Sequence, residues 1–179
     1  YTPERAEQVI MLPYSGSSAS IIVAKSDNGK VTGVESFSGR KLAVETGTIQ
    51  EADIQKANEA LGKAGKPLID GRGFRTYAEV MQVMAAGQVD GAYVTGALAS
   101  YYQRQGKDFF KVALEGLHPT LYALAFKEKE TAEPVAKVLN DMDADGSLGK
   151  LFKTYGQCVA HGPYGIGIVP KVSDLVCEA

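Results

Sequence analysis

The chain has 179 residues, 45% of them hydrophobic and 22% charged, with 19 basic and 21 acidic residues for a net charge of −2. That composition belongs to an ordinary globular protein with one sizeable core or two small lobes. The near-neutral balance, the absence of Trp and the scatter of Lys and Arg exclude a basic nucleic-acid surface, and no apolar run reaches membrane-spanning length.

In chain order, "VIMLPYS" predicts a strand that runs into a turn at Pro13–Tyr14, and "ASIIVAK" over residues 19–25 predicts a second short strand. "SDNGKVTGVESFSG" reads as a polar loop with a turn at Asn28–Gly29. "RKLAVE" is a third strand that breaks at Thr46-Gly47-Thr48 into the helix "IQEADIQKANEALGKAG", stopped by Gly65. Thr48 is a good N-cap, and a helix start also exposes free N–H groups and partial positive charge that suit an anionic ligand. "KPLID" predicts a strand. "TYAEVMQVMAAG" predicts a helix with a Thr76–Glu79 capping box and an apolar stripe of Tyr77, Val80, Met81 and Met84, read as core.

"QVDGAYV" is the next strand, after which Thr95 caps a helix through "GALASYYQRQ". "TLYALAF" is a further strand. Two helices follow. The first has Thr131 as cap, Pro134 in its first turn and Val135, Val138, Leu139 and Met142 as its stripe; the second runs over about 147–155. This alternation implies an α/β sheet with helices on its faces, on which ligands sit beyond the carboxyl ends of strands. Thr46–Thr48 and Thr95 fall at such ends.

His118 and His161 are the two histidines, and no hydrolase triad order, Cys-x-x-Cys pair or His-x-x-x-His spacing accompanies them. "DMDADGSLGKLF" places Asp141, Asp143, Asp145 and Gly146 as in the first half of a calcium loop. Its twelfth position is Phe152 rather than a bidentate Glu, so a helix end, an Asp-Gly turn and a new helix capped by Ser147 is the preferred reading. No cofactor or metal is assigned. Cys158 and Cys177 pair if the protein is exported and remain free thiols if it is cytosolic; a pair would contribute roughly 3 kcal/mol.

Five segments in register, "TPERAEQV", "LPYS", "SFSGRKLAVETGTIQE", "YAEVMQVMAAGQVDGAYV" and "ALAFKEKETAEPVAKVLNDMDADGSLGKLFKTYG", resemble the family 3 extracellular solute-binding proteins, receptors for polar amino acids in bacterial uptake. The resemblance covers roughly residues 1–156. It implies a type II periplasmic-binding fold of two α/β lobes, here one complete lobe with the hinge strands and C-terminal helices of the other. The expected divisions are 1–16 as the end of the first lobe and first hinge strand, 17–118 as the second lobe, 119–156 as the return strand and last helices, and 157–179 as a tail. Several dozen residues of the first lobe would precede Tyr1, and a dimer or a complementing fragment is an expected partner.

Residue by residue, the resemblance makes Arg5 the guanidinium that grips a ligand carboxylate and Thr48 the helix-start residue facing the same ligand, with Thr46, Thr95 and Tyr14 as further ligand-binding positions. The family usually carries an acid where Thr95 stands, which widens the expected ligand to small polar carboxylates, amino acids first. The implied protein is periplasmic or extracellular, not an enzyme, and works with the membrane permease of an ABC transporter; export implies the Cys158–Cys177 pairing. The alternatives are a cyclohexadienyl-dehydratase-like enzyme on the same fold, for which Glu45 and Asp90 are the acids near the site in sequence, and the sensor module of a receptor kinase.

Overall fold

The computed structural model describes residues 1–155 and 157–176. The chain divides into two compact units, Tyr1–Ser18 with His118–Ala179, and Ala19–Leu117. Two long strands, β1 (Ile10–Ala24) and β5 (Phe110–Phe126), contribute residues to both.

The unit of residues 19–117 is built around β2 (Lys41–Glu45), which pairs in parallel with both β3 (Asp70–Phe74) and β4 (Gly91–Thr95). The far half of β1 adds antiparallel to β4, Ala19 opposite Thr95 and Val23 opposite Gly91. Alternation along each strand feeds two cores. Ile21, Val23, Leu42, Val44 and Tyr93 point to one face, where Ile54, Ala57 and Leu61 of α2 (Ile49–Lys63) cover them. Ile22, Ala43, Ala92 and Val94 point to the other, against Val80, Met81 and Met84 of α3 (Tyr77–Ala85) and Phe110. Burying both faces is what makes these strands nearly continuous apolar runs. The capping box on α3 is formed as expected, and both its methionines are core residues.

Several expectations are corrected here. β1 does not turn at Pro13–Tyr14; it is one strand, because proline's fixed φ is compatible with extended backbone and costs only a donor. The strand expected over "KPLID" begins at Asp70 instead. The Asn58 side chain takes both backbone groups of Ile69, accepting its N–H at 2.7 Å and donating to its C=O at 3.0 Å, and pairing with β2 starts one residue later. The "polar loop" after β1 buries Val31, Val34 and Phe37, the last two in a 3-10 turn, Val34–Phe37.

In the same loop Asp27 accepts from the Arg40 guanidinium and from Gly29 N–H at 2.6 Å, which holds its carboxyl below the ordinary value, the Arg40 bond being the larger cause. A depressed folded pKa stabilises above the unfolded value of about 4 and is lost as pH falls through the folded one. Asp27→Asn should therefore cost about 1 kcal/mol or less at pH 6, and the gap should close as pH falls below about 4 in urea unfolding.

The other unit packs α5 (Lys129–Ala144) and α6 (Ser147–Tyr155) on the near half of β1. β6 (Cys158–Ala160) pairs with β1, Ser15 opposite Val159 and Gly16 opposite Cys158, and β7 (Leu175–Val176) pairs with β6. Leu12, Leu139, Leu148, Phe152, Val159 and Tyr164 form its core. Here α5 starts at Lys129, earlier than expected. Thr131 is not its cap: the position is Glu128, and the Thr131 hydroxyl donates back to the Glu128 carbonyl at 2.8 Å. Pro134 consequently lies inside the helix rather than in its first turn, and the buried face is Ala132, Ala136 and Leu139 while Val138 is exposed. Ser147 opens α6 as its first residue, with Asp145 Oδ1 accepting its N–H at 2.8 Å.

The tail, outside the resemblance, is fixed to α5. Asn140 accepts from Tyr164 N–H at 3.0 Å and donates to its C=O at 2.8 Å, and Asp143 accepts from His161 Nδ1 at 2.6 Å and Gly162 N–H at 2.9 Å. Cys158 is disulfide-bonded. Its expected partner, Cys177, lies outside the described residues. His118 has φ +42 and precedes Pro119, an uncommon backbone for a non-glycine residue, beside Gly116 at φ +78.

Candidate functional site

The break at Thr46-Gly47-Thr48 is built by three local bonds. Gly47 takes φ +75, the left-handed turn that lets β2 reverse into α2. Thr48 is the N-cap; its hydroxyl oxygen accepts from Glu51 N–H at 3.4 Å and its O–H donates to the Glu45 carbonyl at 2.6 Å. Glu51 Oε2 accepts from Gly47 N–H at 2.8 Å. Among the described residues the N–H groups of Thr48, Ile49 and Gln50 have no hydrogen-bond partner. Open amides at the positive end of a helix suit an anion.

Beside them lies a second helix start. Thr95 ends β4 and caps α4 (Gly96–Arg104), accepting from Leu98 N–H at 3.3 Å. β2 and β4 are parallel neighbours with Val44 opposite Tyr93, and the same register carried onward sets Thr46 beside Thr95. Thr46 is anchored to the end of β3, its N–H and hydroxyl both donating to the Phe74 carbonyl at 2.8 and 3.1 Å. Thr46, Thr48 and Thr95 thus share the carboxyl end of one sheet.

The other two expected residues belong to the unit of residues 1–18 and 118–179. Arg5 is exposed in the one-turn helix α1 (Pro3–Ala6), and its guanidinium makes no hydrogen bond or ion pair among the described residues. Tyr14 packs its ring 5.9 Å from that of Phe152, and burial, with Tyr122 nearby, raises its pKa. Of the two acids considered for catalysis, Asp90 stands at the opposite end of β4 from Thr95, where its Oδ2 accepts from Lys41 N–H at 2.7 Å.

Two polar residues of α2 escaped the sequence reading. The buried face of this helix is Gln50, Asp53, Ile54, Ala57 and Leu61. Gln50 is 9% exposed with no hydrogen bond to its carboxamide among the described residues, and Asp53 is 8% exposed. The signal was available: the 3.6-residue stripe that ends in Ala57 and Leu61 begins, traced backwards, with a Gln and an Asp.

The acids of the partial calcium motif go to separate partners, Asp141 to Lys137 at 2.6 Å, Asp143 to His161 and Asp145 to Ser147. The Ser147 bonds hold the Asp145 carboxyl below its ordinary range. Among the described residues no group of three or more His, Cys, Asp and Glu could hold a metal ion, and no helix is long and apolar enough to cross a membrane.

Removing the α2 cap tests its structural share. Thr48→Ala should lower stability by about 1 kcal/mol, the usual worth of an N-cap, read by urea unfolding without ligand.

No protein-family model matches the chain, and no curated protein does. Solved structures do. An ancestral arginine-binding protein bound to arginine superposes with a TM-score of 0.72 at 24% identity, covering 87% of this chain and 67% of that one. An ancestral amino acid-binding protein described as a precursor of cyclohexadienyl dehydratase gives 0.70 at 25% identity, covering 87% and 65%. A solute receptor for L-cysteine from Neisseria gonorrhoeae gives 0.67 at 21% identity, covering 87% and 60%. The chain spans between 60% and 67% of the length of these three. Over the stretch it spans, the chain has the type II periplasmic-binding fold of the family 3 solute-binding proteins.

Proposed function

We propose that this chain binds a small polar carboxylate, an amino acid before other acids, as the extracytoplasmic solute-binding component of an ABC transporter. The observation that carries the reading is the row of open amides at Thr48, Ile49 and Gln50, set beside the Thr95 helix start at the carboxyl end of one sheet. A helix mouth of this kind stabilises an anion. In the other unit Arg5 is the assigned guanidinium for a ligand carboxylate, since an exposed fork that makes no hydrogen bond or ion pair among the described residues is available to a bidentate acceptor. Thr46 and Thr95 offer hydroxyls at the rim, and Tyr14 is the weakest of the assigned contacts because its ring packs on Phe152. Binding arginine, or acting as a solute receptor for L-cysteine, is described for proteins of the same fold, which supports an amino acid ligand here.

We read the chain as a binder rather than a dehydratase-type enzyme. The position of Asp90 at the far end of β4 favours this, since a general acid must reach the bound ligand. The partners are then the ligand and a membrane permease, and the compartment is periplasmic or extracellular.

A thermal-shift series with L-arginine, L-glutamine, L-cysteine and short dicarboxylates tests the reading. A ligand at about 100 times its Kd adds about 2.7 kcal/mol, or roughly 5–10 °C for a chain of this size. No shift with any amino acid at millimolar concentration would contradict it.

A further inference from the structure

β3 (Asp70–Phe74) ends the sheet among the described residues: it pairs with β2 on one side and with no strand on the other. Its bonds to β2 show which backbone groups face outward. Asp70 N–H donates to the Arg40 carbonyl at 2.9 Å, and the Phe74 carbonyl accepts from Thr46 N–H at 2.8 Å. Residues 70, 72 and 74 therefore turn their backbone towards β2, and residues 69, 71 and 73 turn theirs away.

The outward edge is closed at both ends. The Asn58 side chain takes both backbone groups of Ile69, and just past the strand Arg75 N–H donates to Glu79 Oε2 at 2.9 Å. Between these plugs the N–H and C=O of Gly71 and Gly73 have no neighbouring strand among the described residues. Such groups are a template for an added strand.

The charges beside the opening indicate which strand. Asp70 and Arg72 are about half exposed and bond to each other at 2.7 Å. Their side chains lie on one face of the strand, two positions apart. An edge that reads acid, glycine, base is matched by one that reads base, glycine, acid, and the same stretch run antiparallel supplies it. Two registers bring the open groups together about a two-fold axis. Centring on Arg72 sets two arginines opposite each other, and like charges directly opposite destabilise a pair. Centring on Gly71 lets the two Gly71 residues exchange N–H to C=O bonds and sets Asp70 of each copy opposite Arg72 of the other. Acid and base then alternate around a closed ring.

We propose that the outward edge of β3 is a self-association surface, on which a second copy of this chain adds its β3 antiparallel about a two-fold axis at Gly71. The Asn58 plugs keep the ladder short, so the association is weak and concentration-dependent. The proposal concerns only the unit of residues 19–117 and does not depend on the ligand reading.

Sedimentation of the full chain from about 10 µM to 1 mM tests it, the range in which a small interface associates. The native chain is expected to pass from monomer to dimer across that range. Asp70→Arg makes the edge wholly basic and Arg72→Asp makes it wholly acidic. Each variant alone should stay monomeric, and an equimolar mixture should associate at least as tightly as the native chain. A native chain that stays monomeric throughout overturns the proposal. So does a dimer that either variant weakens by less than threefold, or a mixture that stays monomeric. Should a variant fail to fold, amide hydrogen exchange on the native chain decides. Exchange at Gly71 should slow at least threefold between the lowest and highest concentrations, and exchange that does not change overturns the assignment.

Discussion

Phe37→Ala is expected to lower the stability of the unit of residues 19–117 by about 3–5 kcal/mol, the cost of emptying a large aromatic site that cannot collapse. Phe37 is fully buried in the cluster with Ile21, Leu42, Leu61 and Tyr93. Its surroundings are stiff on two sides. Gly91 of β4 has no side chain because the ring is already there: a Cβ on Gly91 would lie 2.5 Å from Phe37 Cε1 and 3.0 Å from the Ile22 carbonyl. The Arg40 guanidinium covers the ring at 4.9 Å and is tied in turn to Asp27. Removing the ring leaves a void between a glycine on the sheet and a cation that loses its aromatic face. Urea unfolding followed by far-UV circular dichroism measures the loss. A change under 1 kcal/mol would mean that the loop bearing Phe37 is not part of the core.

Arg5→Ala is the second large effect, and it falls on ligand rather than on stability. Arg5 is exposed and without a protein partner among the described residues, so the ligand-free melting temperature should move by less than about 2 °C, as surface substitutions do. Two charge-assisted hydrogen bonds to a carboxylate should disappear, lowering affinity by about 30-fold or more. Calorimetry with the amino acid that gives the largest thermal shift reads this directly. Affinity within threefold of the native chain would remove Arg5 from the ligand-binding residues.

How much of this was legible in the sequence depends on the length scale of the cause. The capping box on α3, the caps at Thr48 and Thr95 and the core stripe of Val80, Met81 and Met84 are local devices, visible within a few residues, and the structure has them. The strand at Asp70–Phe74 was misplaced because its cause is not local. "DGRGF" has no apolar alternation, and it pairs with β2 because glycine at position 73 leaves room for the Thr46 methyl, which a Cβ there would approach to 2.6 Å. The 26–39 segment looked solvated because Val31, Val34 and Phe37 are spaced among polar residues without a strand or long-helix period. Only their packing on the sheet reveals them as core.

The tail was opaque for the same reason. Asn140 and Asp143, exposed-looking polar residues on a helix, hold residues some twenty positions away. Asp53 was missed because an Asp in a helix is ordinarily solvated, and it takes Tyr93 from a different element to show that this one is inside.

The central claim is that the amides opening α2 receive the ligand's carboxylate. Backbone amide NMR of the ¹⁵N-labelled chain, titrated with the amino acid that gives the largest thermal shift, tests it most directly. The account predicts that the resonances of Thr48, Ile49 and Gln50 move furthest within the unit of residues 19–117 and saturate together at the calorimetric Kd. Saturable binding that leaves these amides in place while others shift would contradict it.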